Sequence, residues 1–507
     1  MKTILYATFC SLITVLIAAP QMLAQDTVGI PAELQDLPER WQQAMEDLQV
    51  PGLAVVVVRG DKVIYQGTFG HRDPHNELPV TPDTMFYVAS CTKTYIATAV
   101  MQLVEQGHLD LDDSVKDYLP DFELADQHVT SSVTIRDLLT HALGLDNTPI
   151  VFLDAYSGEI TEPRYYRWLR EVAPADEPQY SNVHYTLLGR VIESVAGRSW
   201  KDVLADSIFE PAGMTASTAY ASQMYDASDV ALPMQIQDGK IVPASVRKSN
   251  STMHAAGGMG TSIHDLSRWL RLHLNGGAID GRQILSPDNI AEMQRLQTEG
   301  QGGAPGIPNM EMKGFGLSWF VTTYKDQPLL QHGGGYIGAS AMIAIMPEEQ
   351  LGIAAVSNAT GVLPQLVVFD VIDKLQGLEG PDLLPMVKQM TSRFHEQTAQ
   401  TLEELGPNPS VDGLSLPANS YAGLFQNEDW GSVQIHLRED GHIALGLGEL
   451  PCQMGSTGMD RFALLRPLAQ PDEGAFETED GRVIALTIEF SDYPGPVRFE
   501  RKWDSPK

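Results

Sequence analysis

What most constrains this chain is where its strands fall. Leu53-Ala-Val-Val-Val-Val58, the turn Arg59-Gly60-Asp61-Lys62 and Val63-Ile-Tyr-Gln-Gly-Thr-Phe69 read as a β-hairpin. Strand character then lapses, to return at 316–323, 339–346 and 351–357, the last two flanking the turn Pro347-Glu348-Glu349-Gln350. Between the two strand groups apolar residues recur at helical spacing. Ile96, Ala97, Val100, Met101, Leu103 and Val104 predict an amphipathic helix from Lys93 to Gln106, ended by Gly107. The same periodicity predicts helices over 134–141, 184–196 and 262–274. Strands that open and close a region, with helices between, give an α/β sandwich with a helical subdomain rather than a doubly wound sheet.

That region does not account for the whole chain, and at 507 residues two or three domains are expected. A charged helical stretch, 385–405, leads into Gly406-Pro407-Asn408-Pro409-Ser410, whose composition is that of a linker. From 421 to 503 short strand runs alternate with turns such as Glu439-Asp440-Gly441 and Glu479-Asp480-Gly481, which predicts a separate small all-β domain, barrel or sandwich. At the other end Lys2, an apolar run from Ile4 to Ala19 and small Ala24 before Gln25 describe a cleavable secretory signal. The run is short for a membrane span and diluted by Thr8, Cys10, Ser11 and Thr14. The expected layout is therefore a signal peptide (1–24), a first folded domain (25–384), a helical segment and linker (385–419) and an all-β domain (420–507). The mature protein is expected to be periplasmic or secreted, with no stable membrane insertion after signal cleavage.

Charge narrows the partners. Asp and Glu number 65 against 34 Lys and Arg, and a formal charge of −31 repels phosphate backbones and anionic lipid. The expected partner is a small-molecule or peptide substrate, not nucleic acid; assembly into a homo-oligomer stays open. Outside the leader only Cys91 and Cys452 remain, far apart and in no Cys-x-x-Cys pattern, so two unpaired buried thiols are expected although export permits disulfides. His71 and His75 are separated by Pro74 and have no helical carboxylate pair nearby, and no His-Glu-x-x-His or phosphate-binding glycine loop occurs. No metal or cofactor is expected. There is also no Gly-x-Ser-x-Gly elbow to carry a nucleophile.

A nucleophile is offered instead by Ser90-Cys91-Thr92-Lys93. A serine hydroxyl attacks a carbonyl only when a base takes its proton. Residues three apart on a helix share a face, so Lys93 reaches Ser90 if both lie in the first turn, and a partly desolvated lysine there is a neutral base. The four-letter pattern alone is weak, because Ser245-Val246-Arg247-Lys248 repeats it. Context separates the copies: the first opens a long helix, whereas the second follows Pro243 and runs into polar residues with no helical pattern. Two further elements fit the first. Tyr180-Ser181-Asn182 precedes a helix; its phenol could share proton transfer with the lysine and its amide hold a substrate carbonyl, although Ser and Asn there are also ordinary helix caps. His332-Gly333-Gly334-Gly335 precedes the 339–346 strand; its glycines would let backbone lie against a ligand, or form a plain turn.

In this order and at these separations the three elements resemble those of the penicillin-recognising serine enzymes, in the branch of class C β-lactamases, D-alanyl-D-alanine carboxypeptidases, D-aminopeptidases and related esterases. The resemblance spans roughly residues 30 to 375 and includes Thr134 to Leu145, Phe209-Glu-Pro-Ala-Gly-Met214, Ala256-Gly-Gly258 and Asp265-Leu-Ser-Arg-Trp269. It implies a β-lactamase-like antiparallel sheet flanked by helices, and a C-terminal domain resembling the lipocalin-like β-domains appended to some relatives. It further implies that Ser90 forms the acyl-enzyme, that Lys93 and Tyr180 move its proton, and that Asn182 orients the substrate amide. His332 takes the place of the third-motif lysine, with Gly334 beside it, and the N–H groups of Ser90 and Gly335 form the oxyanion hole.

One departure matters. Many relatives carry Lys-Ser/Thr-Gly as the third motif, and this chain has no such triplet. A neutral imidazole is a weaker carboxylate anchor than a lysine. The expectation is therefore a serine hydrolase for small esters, amides or D-amino-acid peptides, ahead of a β-lactamase or D-Ala-D-Ala carboxypeptidase. A non-catalytic peptidoglycan-fragment binding protein is the alternative of another class.

Overall fold

The two strand groups meet in one sheet. In the computed structural model, which describes residues 29–145, 148–175, 177–237, 239–300, 307–405, 413–466 and 470–503, Gly52–Arg59 pairs antiparallel with Lys62–Asp73 on one side and with Leu351–Ser357 on the other. The nine strands run Thr298–Glu299, Met310–Phe315, Phe320–Tyr324, Gln327–Tyr336, Ala339–Met346, Leu351–Ser357, Gly52–Arg59, Lys62–Asp73 and Leu78–Pro79. The expected signal peptide and the linker at 406–410 lie outside the described residues.

The unbroken apolar runs follow from burial of this sheet on both faces. Alternate residues enter different cores. Leu53, Val55, Val57, Ile353 and Ala355 face the helices Leu37–Asp47 and Leu363–Gln376, while Ala54, Val56, Val58, Ala354 and Val356 face the inserted helical layer. Each fully buried Val, Leu or Ile among them contributes about 1.5–3 kcal/mol. The first face is pinned by Trp41, fully buried, whose indole N–H donates to Asp370 (3.1 Å), a carboxylate also held by Arg40 (2.9 Å).

Two expectations are corrected. The helix Thr92–Glu105 is buried all round from Thr92 to Leu103, not amphipathic, because it runs through the middle of the helical layer. Its polar residues bond to backbone: Thr92 to Ala89 O (2.7 Å), Thr94 to Cys91 O (2.9 Å), and Gln102 to Ser207 O and Ile284 O (both 3.0 Å). The strand expected over 316–323 begins at Phe320 instead. Residues 316–319 form a bend whose amides are drawn to the helical layer, Leu317 N–H to Met293 O (3.0 Å) and Ser318 N–H to Leu139 O (3.1 Å).

The C-terminal strands, from Gly423–Asn427 to Pro496–Arg501, close into an eight-stranded antiparallel barrel, the last strand pairing with the first at Gln426 and Glu500. This decides between the barrel and sandwich expectations. Its interior is filled by Phe425, Val433, Ile435, Leu445, Phe462, Leu486 and Phe499, as an eight-stranded barrel permits. At the Glu479-Asp480-Gly481 turn both Asp480 (φ 47°) and Gly481 (φ 73°) are left-handed, the demand that Asp-Gly meets in a tight hairpin. The barrel docks on the helical layer: Trp168 donates to Asp429 O (3.1 Å) and meets Trp430 edge to face at 5.3 Å, while Arg167 pairs with Glu428 (2.7 Å) and Asp429. Among the described residues no helix is long and apolar enough to cross a membrane.

Candidate active site

The segment before the buried helix makes an abrupt entry. Phe86–Tyr87 pairs with Gly260–Thr261, Val88 N–H donates to Met259 O (3.0 Å), and a single 3-10 turn, Ala89–Cys91, leads into the helix. Ala89 sits at φ 45°, a conformation uncommon outside glycine. The turn leaves Ser90 half-buried at the helix N-terminus while Lys93, one turn on, is fully buried.

Lys93 Nζ has three oxygen neighbours: Ser90 Oγ at 3.1 Å, Asn182 Oδ1 at 2.7 Å and Ala256 O at 2.5 Å. Burial pushes this lysine well below its ordinary value, and the Cys91 thiol only weakly opposes the shift. A neutral amine has two N–H groups and one lone pair. The carbonyl of Ala256 and the amide oxygen of Asn182 take the two N–H groups, which turns the lone pair to the Ser90 hydroxyl. Receiving Lys93 on Oδ1 also fixes Asn182 so that its NH2 group is free for another acceptor.

Tyr180 closes the other side. Its ring lies 4.8 Å from Lys93 Nζ and is stacked on Phe320 at 5.6 Å. Burial raises the phenol above its ordinary value, and a side-chain hydrogen bond with Ser90 pulls it back in part. Both shifts favour the neutral forms, amine and phenol, over an ammonium and a tyrosinate. Ser181 is the cap of the helix Asn182–Ala196, accepting from Val183 N–H (3.2 Å), so the capping and polar roles of the triplet fall to different residues.

His332 to Gly335 are not a turn. They lie inside the strand Gln327–Tyr336, paired with Ala339–Met346. A Cβ on Gly334 would stand 2.1 Å from Val88 O and 3.1 Å from Ser90 N, so only glycine lets this strand lie against the Ser90 turn. At Gly335 no atom would lie within 4 Å of a Cβ, so the side-chain position there is open space. Cys91 Sγ donates to His332 O (3.4 Å), tying turn to strand. The His332 imidazole is buried, and burial with Lys93 nearby pushes it down to about 3. Its Nδ1 bonds Gly333 O at 2.7 Å, which makes Nδ1 the N–H and Nε2 the lone pair. A neutral ring so placed supplies no cation for a carboxylate.

His141 and His184 lie side by side beneath the Tyr180 loop. They pack Nδ1 to Nδ1 at 2.9 Å, but His141 also accepts Ser181 N–H on Nδ1 (3.2 Å) and Gln179 N–H on its carbonyl (3.0 Å). It therefore holds the Tyr180 loop. The signal that marks it, φ 53° at a non-glycine, is conformational and cannot be read from residue type. The second Ser-x-x-Lys copy is not assembled as a pair: Ser245 is exposed, and Lys248 Nζ donates to Ala155 O and Thr252 O. Cys91 and Cys452 are both free; Cys91 is buried, Cys452 only half-buried.

This geometry is found in a chain with identifiable relatives. The profile of a family described as Beta-lactamase matches residues 38–368. The chain is 26% identical over 329 residues to Protein flp of Staphylococcus aureus, a match covering 63% of each protein, so it spans less than two thirds of that relative. It is 28% identical over 366 residues to Penicillin-binding protein 4 of Amycolatopsis lactamdurans, covering 68% of this chain and 91% of that one. In fold it is similar to the octameric penicillin-binding protein homologue from Pyrococcus abyssi, with a TM-score of 0.58 at 22% identity over 92% of this chain and 99% of that one.

Proposed function

Because the chain belongs to the Beta-lactamase family, that of the penicillin-recognising serine hydrolase fold, we propose that it is an exported serine hydrolase acting through an acyl-enzyme on Ser90. The observation that carries this is the buried amine of Lys93, 3.1 Å from Ser90 Oγ with both of its N–H groups already occupied. Ser90 passes its proton to Lys93 Nζ as Oγ attacks the substrate carbonyl carbon. The oxyanion is held by the N–H groups of Ser90 and Gly335. The protonated Lys93 and the Tyr180 hydroxyl return that proton to the leaving oxygen or nitrogen as its bond to carbon breaks. Water then attacks the ester, gives its proton to the same pair, and releases the acid and Ser90. Asn182, fixed by Lys93, offers its NH2 group to a substrate carbonyl.

The substrates are small esters, amides or D-amino-acid peptides. Support comes from His332: a buried neutral imidazole does not anchor the free carboxylate that β-lactams and D-Ala-D-Ala termini carry. Export to the periplasm or medium rests on the basic, apolar, small-residue pattern of 1–24. Self-assembly is part of this reading, supported by the octameric state of the Pyrococcus abyssi homologue.

The test is a side-by-side assay of p-nitrophenyl esters, D-aminoacyl anilides and a chromogenic cephalosporin with wild type and Ser90→Ala. Ester or anilide turnover lost in Ser90→Ala is expected. Faster turnover of the cephalosporin than of the other two would replace the reading by a β-lactamase, and no turnover of any would favour a binding protein.

A further inference from the structure

The discarded second copy leaves a buried lysine unexplained. Lys248 Nζ donates to Ala155 O (2.7 Å) and Thr252 O (3.1 Å), and lies 4.0 Å from the centre of the Tyr336 ring, 5.6 Å from that of Tyr87 and 5.7 Å from that of Tyr156. The rings contact one another: Tyr87 meets Tyr336 edge to face at 5.5 Å, and Tyr156 stacks on Tyr336 at 5.1 Å. An aromatic cage of this kind attracts a cation, and this one is filled by the chain's own lysine.

The cage walls come from the segments that build the Ser90 site. Tyr87 is three residues before Ser90, and its hydroxyl donates to Gly257 O, next to the Ala256 carbonyl that receives Lys93. Tyr336 directly follows Gly335, and its hydroxyl donates to the same Ala155 carbonyl as Lys248 (3.2 Å). Tyr156 lies on the π-helical turn Leu153–Ser157. One ammonium thus touches the approach to the nucleophile and the end of the glycine strand, which the close contact of Gly334 with Val88 and the Cys91–His332 hydrogen bond also hold together. The brace continues into the barrel: Glu449 accepts from Ser249 and from Ser251 (2.5 Å), just after Lys248, and its N–H donates to Ser157 O (2.8 Å).

We propose that Lys248 is a positioning residue for the Ser90 site, its ammonium setting the gap between the Ser90 turn and the Gly335 backbone from inside the Tyr87–Tyr156–Tyr336 cage. This rests on the reading of Ser90 as nucleophile. Removing the ammonium takes the donor from the buried Thr252 carbonyl, leaves Ala155 O to the Tyr336 hydroxyl alone and takes the cation from the three rings. The turn and the strand can then drift, and a displacement of about 1 Å costs on the order of 100-fold in rate.

The experiment compares wild type, Lys248→Met, Lys248→Arg and Tyr336→Leu, each checked for folding by circular dichroism. It reads the rate of Ser90 phosphonylation by a fluorophosphonate, and kcat and KM on a p-nitrophenyl ester. Lys248→Met is expected to lower phosphonylation and kcat together by about 10- to 100-fold with KM nearly unchanged, and Lys248→Arg, which keeps a cation in the cage, to recover most of that loss. Tyr336→Leu, which keeps the lysine and removes the nearest ring, is expected to lose about 5- to 20-fold and serves alone if Lys248→Met does not fold. A folded Lys248→Met or Tyr336→Leu that reacts as fast as wild type overturns the inference while leaving Ser90 in place, as does a loss confined to KM. A wild type that takes no adduct at Ser90 brings down the nucleophile reading and this one with it.

Discussion

Two tetrads with the same spacing, Ser90 to Lys93 and Ser245 to Lys248, have reached opposite ends in one molecule. Both lysines are buried, and burial lowers both. Lys93 has no carboxylate to resist the shift, falls well below its ordinary value and turns a lone pair to its own serine. Lys248 is pushed down only to about 7, because the Asp154 carboxylate opposes the shift, and it points away from its own serine into tyrosine rings. The backbone decides the difference. A 3-10 turn feeding a helix stacks the first pair, whereas 244–248 is irregular, with a bend at Ser245, and has no helical turn to bring residues three apart onto one face. What brings the first serine and lysine together is the helix under them, not the four letters.

Substitutions sharpen that contrast, beginning with the largest effect. Ser90→Ala should lower kcat/KM by at least about 1,000-fold, measured on whichever ester is turned over fastest. Lys93→Met should cost about 100- to 10,000-fold, as expected for loss of a general base, and Lys93→Arg should not rescue it, since a guanidinium stays protonated. Gly334→Ala, which drives a methyl into Val88 O, should cost about 1–3 kcal/mol of stability and much of the activity, while Gly335→Ala should leave stability unchanged. Thermal melts with ester kinetics separate the two. Ser245→Ala should change kcat/KM by less than about twofold; a larger loss would show that the second tetrad also acts on substrate.

The lysines also differ in pH. With Lys93 depressed, the neutral base persists to a lower pH than an ordinary lysine allows, and protonation removes it as pH falls through its lowered value. In Lys248→Arg, whose cage cation does not titrate, the phosphonylation rate should therefore level off below the ordinary lysine value and fall on the acid side, whereas in wild type loss of the Lys248 ammonium, at about 7, should also lower it on the alkaline side. A rate still climbing above pH 9, toward the ordinary lysine value of 10.5, would mean that Lys93 keeps its proton.

Much of this was legible in the residues. A sheet buried on both faces writes itself as Leu53-Ala-Val-Val-Val-Val58, and capping by Thr134, Ser181 and Ser262 marks the helices that follow. Ser90, Lys93, Tyr180 and Asn182 were singled out by type and order, and they converge within bonding or ring-contact distance. Other features lay beyond the reach of local pattern. Glycines at 333–335 read equally as a turn, because only the approach of Val88 from far along the chain makes the strand necessary. The role of His141 depends on a left-handed backbone, and that of Lys248 on three tyrosines brought from distant segments.

The most direct measurement is the intact mass of the protein after a fluorophosphonate, followed by peptide mapping, on wild type and Ser90→Ala. One adduct on the peptide carrying Ser90, none on that carrying Ser245, and none in Ser90→Ala is the predicted result. An unmodified wild type, or an adduct that persists in Ser90→Ala, would contradict Ser90 as the nucleophile.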